Sequence, residues 1–170
     1  MANDSSNLLR KWGLKEIYEH RHEKNRRIND YIINSATKLD IMTQNSLKEL
    51  RKNIGKQLEM RLGNGLEMRI LIPSDINDPQ HTRDIEDLIN WCKNLGKKQR
   101  QKIEIRSYAG TPQDLYYRVD NMIFVGPYFL GRRSNQLTIT YEFTNKNFGK
   151  MYSEYFEQIW EAYKDNKVKL

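Results

Sequence analysis

The sequence predicts an α/β fold, a mixed β-sheet flanked by helices, and three observations carry that prediction. Apolar residues switch twice between a period of two and a period of three to four. The dipeptide Asp120-Asn121 joins two β-rich runs, and an aromatic amphipathic stretch closes the chain. At 170 residues the chain fits one domain. That domain is expected over residues 8–170, behind a flexible polar segment at residues 1–7.

From Leu8 the apolar positions Leu8, Leu9, Trp12, Leu14, Ile17 and Tyr18 fit a helical or helix-turn face interrupted by Gly13, and Tyr31, Ile32 and Ile33 continue helically to Asn34. The period then changes. Lys38 to Thr43 alternates as a half-buried strand does, and Gln44-Asn45-Ser46 is a polar turn suited to capping a helix. Leu47, Leu50, Ile54, Leu58 and Leu62 mark that helix, which Gly63-Asn64-Gly65 stops with residues tolerant of positive φ. Leu66 to Pro73 is a second strand ended by proline, and Ser74 to Thr82 is a loop. Ile85, Leu88, Ile89, Trp91, Cys92 and Leu95 mark a second helix, and Lys102 to Tyr108 alternates as a third strand. Strand, helix and strand in this order imply parallel β-α-β units.

The last third changes style. Leu115–Val119, Met122–Tyr128 and Leu137–Phe143 read as three strands, the first two joined at Asp120-Asn121 by a tight hairpin. Phe148 to Tyr163 is the closing helix, with Met151, Tyr152, Tyr155, Phe156, Ile159, Trp160 and Tyr163 on its buried face.

Three Trp, ten Tyr and five Phe are too many aromatics for a disordered chain, despite a mean hydropathy of −0.87. The formal charge of +7 favours anionic partners. Its clusters, Arg21, Lys24, Arg26, Arg27 and Lys97, Lys98, Arg100, Lys102, read as solvated helix ends and loops. One cysteine, Cys92, excludes an internal disulfide framework and reads as a buried structural thiol. The N-terminus has no apolar run for a signal peptide, and no stretch approaches a membrane span, so a cytoplasmic protein is expected.

Glycine-rich phosphate loops, the hydrolase elbow and the zinc-protease motif are all missing from the sequence. His20, His22 and His81 read as surface or loop residues, and no metal or cofactor is expected. Asp40, Glu67, Glu104, Asp120 and Glu142 alternate as exposed-face residues of strands. What remains is a polar set read as a ligand site: Tyr117, Arg118, Asp120, Tyr128, Arg132, Arg133, Ser134, Thr138, Thr140 and Glu142, with Thr43, Gln44, Asn45 and Ser46 after the first strand. Ligands of open α/β sheets settle outside the carboxyl ends of strands, arginine forks suit phosphate oxygens, and tyrosine rings stack on bases.

This order of elements, and the segment Leu115–Tyr128 above all, resembles one half of a phospholipase D-like fold. In that superfamily a strand carrying His-x-Lys-x4-Asp turns at an acidic residue into a hydrophobic strand ending in Gly-Ser, as Val119 to Gly126 does in part. The chain is also similar to the phospholipase D-like C-terminal modules of some bacterial regulators. The matching residues are Tyr117 to Asn121, Pro127 to Gly131 and Tyr155 to Trp160. The histidine and lysine of the motif are not intact: tyrosine, Tyr116 or Tyr117, stands where histidine belongs, and Arg118 replaces lysine. The resemblance implies a catalytically degenerate module that binds a phosphate-containing ligand or nucleic acid in a sensor or regulatory role, as a homodimer. Two alternatives stay open. One is a divergent phosphodiesterase or nuclease recruiting a histidine, and the other is a protein-interaction module using the terminal helix.

Overall fold

The computed structural model describes residues 7, 9–44, 47–110, 114–127 and 139–170. Its strands are β1 (Leu14–Tyr18), β2 (Lys38–Met42), β3 (Glu67–Pro73), β4 (Ile103–Tyr108), β5 (Asp114–Val119), β6 (Met122–Pro127) and β7 (Thr140–Thr144). The helices are α1 (Arg21–Asn34), α2 (Lys48–Gly63), α3 (Pro79–Asn94), the single turn α4 (Lys97–Arg100) and α5 (Phe148–Ala162). The strands form one mixed sheet in the order β1-β7-β6-β5-β2-β3-β4, parallel from β2 to β4 and antiparallel elsewhere.

Both faces of the sheet are covered, which is why β2, β3 and β6 carry apolar residues at successive positions. One face buries Leu39, Ile41, Met68, Ile70, Ile105 and Phe124 with Ile28 and Ile32 of α1, Leu58 and Leu62 of α2, and Leu88 and Cys92 of α3. Burial pushes the Cys92 thiol up to about 12, as expected of a structural cysteine. The other face buries Met42, Leu71, Tyr116, Ile123 and Val125 under Phe156 and Trp160 of α5, and Tyr116, Phe156 and Trp160 form a stack. The outer edge of β4 is closed by the chain's own tail: Ser107 N–H donates to the Asn166 carbonyl at 3.0 Å and Val168 N–H to that of Ile105 at 2.9 Å.

The expected helical or helix-turn face from Leu8 to Tyr18 holds at residues 9–11, which are helical, and is corrected beyond Gly13. Leu14–Tyr18 is an edge strand on β7. Gly13 starts it at φ +87, where an added Cβ would meet the Lys146 carbonyl oxygen at 2.9 Å. The helical spacing arose because Trp12 and Ile17 are half exposed rather than members of one buried stripe. Helix α3 starts at Pro79, inside the expected loop, because Asp78 caps it through the Gln80 N–H and proline occupies its first turn. Asp40 and Glu142, expected on exposed faces, are buried, as is Lys24 from the basic cluster expected to be solvated.

Candidate functional site at the carboxyl edge of the sheet

Strand directions decide which residues meet. β1, β2, β3, β4 and β6 run one way, so Tyr18, Met42, Pro73, Tyr108 and Pro127 lie along one edge with Asp114 and Thr140, the first residues of β5 and β7. Helices α1, α2 and α3 all begin at that edge. Thr43 and Gln44 leave β2 there. Thr43 is buried, with its N–H on the Leu71 carbonyl at 3.1 Å, and His81 stands between Gln44 and Pro73, its Nδ1 2.8 Å and its Nε2 3.2 Å from their carbonyl oxygens. His81 is therefore a buried clamp on two edge loops, not an exposed loop residue.

The other described members of the expected set go elsewhere. Val119 pairs with Leu39 and Asp120 N–H donates to the Lys38 carbonyl, so the Asp120 hairpin sits at the opposite end of β2 from Thr43. Asp120 is structural there. At φ +50 it accepts from Thr37 N–H at 3.0 Å, Thr37 Oγ1 at 2.8 Å and Lys38 N–H at 2.9 Å. Arg118 faces α5, where it pairs with Asp40 at 2.5 Å and Glu157 at 2.9 Å. Arg69 completes that network, forking onto Asp40 at 2.6 and 2.9 Å and onto Glu157 at 2.7 and 2.9 Å. Hydrogen bonds from the two arginines hold Glu157 below the usual carboxylate range.

Tyr117 packs in the core of the opposite face. Glu142, on the same side of the sheet, accepts from the hydroxyls of Tyr18 and of Tyr31, the latter at 3.1 Å, with Arg27 at 3.6 Å. Thr140 is buried at the carboxyl edge. There β6 and the start of β7 approach so closely that a Cβ on Gly126 would meet the Ile139 carbonyl oxygen at 2.7 Å. Asn45, Ser46, Tyr128, Arg132, Arg133, Ser134 and Thr138 lie outside the described residues.

Sequence reasoning missed the residue that gives this edge its chemistry. Lys24 occupies the sheet-facing stripe of α1 with Ile28 and Ile32 and is only 5% exposed. Among the described residues it forms no ion pair and no hydrogen bond through its ammonium, although Glu49 is near enough to act on it through space. Desolvation and the like charge of Arg21 push it down to about 8. Arg21, on the first turn of α1, pairs with Glu49 at 3.2 Å. The missed signal was periodicity: Lys24 stands four residues before Ile28 and eight before Ile32. Among the described residues no three His, Cys, Asp or Glu side chains gather as a metal centre. His20 and His22 are exposed and stack on each other with centroids 5.6 Å apart.

An α/β domain built on one seven-stranded mixed sheet flanked by helices is the class that these elements define. No family model and no curated protein sequence matches the chain. Among solved structures, it is similar to the phosphatidylserine synthase of Haemophilus influenzae Rd KW20, a phospholipase D-superfamily member. The TM-score is 0.60 and the identity 16%, over 87% of this chain and 37% of that one. It is also similar to TrmBL2, an archaeal chromatin protein whose structure shows a novel mode of DNA binding. The TM-score is 0.59 and the identity 11%, over 95% of this chain and 61% of that one. The chain thus spans less than two thirds of either neighbour, and at these identities the likeness is one of fold. Among the described residues, no helix is long and apolar enough to cross a membrane.

Proposed function

We propose that the chain is a non-catalytic phospholipase D-like module, residues 8–170 acting as one domain, that binds a phosphate-containing ligand or nucleic acid in a sensor or regulatory role. The observation that carries this reading is Lys24, a buried ammonium with no ion pair among the described residues, at the edge where three helices begin. Burying a charge that no direct ion pair meets is costly, and an anion bound beside Lys24 and Arg21 relieves that cost while meeting the N-terminal N–H groups of α1. Ligand binding is thus assigned to the carboxyl edge, with Thr43 and Gln44, and not to Arg118, whose guanidinium is already engaged by Asp40 and Glu157.

The absence of catalysis has its own support. With Asp120 as the acidic turn residue, the His-x-Lys-x4-Asp spacing counts back to Gln113 and Leu115 rather than to the tyrosines and Arg118. Neither side chain is a nucleophile or a cation. No histidine is among the partners of Arg118, which weakens the reading as a divergent phosphodiesterase. Homodimer formation rests on the resemblance alone.

The test is thermal stability against a panel of nucleotides, cyclic dinucleotides, phospholipid head groups and short oligonucleotides. A ligand at about 100 times its dissociation constant adds about 2.7 kcal/mol. The expected stabilisation is lost in Lys24→Met and kept in Arg118→Lys. No stabilisation by any of these ligands overturns the reading. A second reading, a protein-interaction surface, is favoured by the exposed apolar side chains of Trp12, Phe148, Met151 and Tyr155 around α5.

A further inference from the structure

Helix α2 presents seven exposed positions, and three of them, Lys48, Lys52 and Lys56, form a line one helical turn apart along its outer face. The single acid among the seven, Glu49, is held by Arg21 and Asn25. None of the three lysines has an ion-pair partner among the described residues. Like charges at this spacing weaken a helix, so local helix stability does not account for the stripe. At a rise of about 1.5 Å per residue, Lys48 and Lys52 stem from backbone points about 6 Å apart, and Lys56 follows past the kink at Ile54. That interval is comparable to the separation of successive phosphates along an extended nucleic-acid strand. The helix kinks at Ile54, but Leu50, Ile54, Leu58 and Leu62 stay buried through the kink, so the lysines keep one face. The stripe begins at Lys48, on the same edge of the sheet as Lys24.

From this arrangement we infer that α2 is a track for the phosphodiester backbone of a nucleic-acid strand, whose end reaches the carboxyl edge. The inference rests on the reading that this edge binds a phosphate-bearing ligand, and it names the partner. A line of point charges that engages only phosphates gives affinity without sequence preference.

The experiment is fluorescence anisotropy of labelled single-stranded and duplex oligonucleotides of mixed sequence, titrated with the protein at several salt concentrations. It is repeated with Lys48→Gln, Lys52→Gln and Lys56→Gln combined. Each lost phosphate contact flattens the log–log salt dependence by about 0.7 for a single strand, so the triple variant should lose about 2 from the slope. A control with the same charge change away from α2, Lys15→Gln, Lys164→Gln and Lys169→Gln combined, should keep the slope of the native protein. Circular dichroism confirms that each variant is folded; if the triple variant is not, Lys52→Glu alone must weaken binding several-fold. Equal slopes in the native protein and the triple variant overturn the inference. So does stripe-dependent binding to acidic lipid vesicles without binding to oligonucleotides. The edge reading is scored separately: a nucleotide-induced stabilisation that survives the triple variant and is lost in Lys24→Met stands even if the track does not.

Discussion

Arg118 and Glu157 join the sheet to the helix that covers it: Arg118 Nη2 donates to Glu157 Oε1 at 2.9 Å, and the same oxygen accepts from Arg69 Nη2 at 2.7 Å. Beneath them Asp40 is 1% exposed and balances the second arginine. Two cations and two anions close a neutral network between β2, β3, β5 and α5, and Arg69 also lies over the Trp160 ring, 5.0 Å from its centroid.

Arg118→Ala is therefore expected to be a stability variant. It leaves Asp40 dependent on Arg69 alone, and removing one partner of a buried pair costs on the order of 3 kcal/mol. Glu157→Gln should cost less, about 1 kcal/mol, because Glu157 is half exposed and its amide still accepts a hydrogen bond. Urea unfolding of the two variants checks the order; Arg118→Ala as stable as the native protein would refute the structural role.

Asp120 holds the hairpin by two separable means. Its backbone lies at φ +50, which asparagine tolerates and alanine resists, and its carboxylate meets Thr37 and Lys38. Asp120→Ala should lose about 3 kcal/mol and Asp120→Asn about 1 kcal/mol. Chemical denaturation gives both values on one scale.

Tyr116 carries a hydroxyl that is buried without a hydrogen-bond partner among the described residues. An orphaned polar group is a cost that its removal lifts, so Tyr116→Phe should be neutral or more stable by about 1 kcal/mol. A substantial loss of Tm in this variant would show that the hydroxyl has a partner.

Lys24 sets a pH dependence whose sign follows from its depressed value. Its folded-state value is about 8 against 10.5 for an ordinary lysine. Below about 8 both states hold the proton and the fold carries the full cost of the buried charge. Between about 8 and 10.5 the unfolded state binds more protons, so this group's contribution to stability rises with pH. Lys24→Met should accordingly be more stable than the native protein at pH 7, by an amount that shrinks towards pH 10. Paired unfolding curves across that range isolate the effect from the tyrosines and Cys92, which titrate in both proteins.

Much of the fold was legible because β4 alternates, β2 and β3 are short apolar-rich runs, β3 ending at Pro73, and the helices between them repeat at three to four. Gln44-Asn45-Ser46, Gly63-Asn64-Gly65 and Asp120-Asn121 punctuate them. The first strand was not, since an edge strand with Ile17 half exposed leaves no alternation to read. The site was legible only as a place, the carboxyl edge. Composition brought Asp120 and Arg118 together with Thr43 because all are polar, but antiparallel register and the two faces of β5 separate them. Lys24 escaped because a lysine on an apolar stripe reads as an interruption of the pattern, whereas in three dimensions it occupies the stripe's last position before the edge.

The most direct test of the carboxyl-edge assignment is amide chemical-shift mapping of the labelled protein, titrated with the best ligand from the stability panel. The account expects perturbations at Arg21, Lys24, Thr43, Gln44 and Ser74, residues remote in sequence that share one edge, and their disappearance in Lys24→Met. Perturbations confined to Phe148, Met151 and Tyr155 on α5, with the edge unmoved, would contradict it and move the function to the exposed face of the terminal helix.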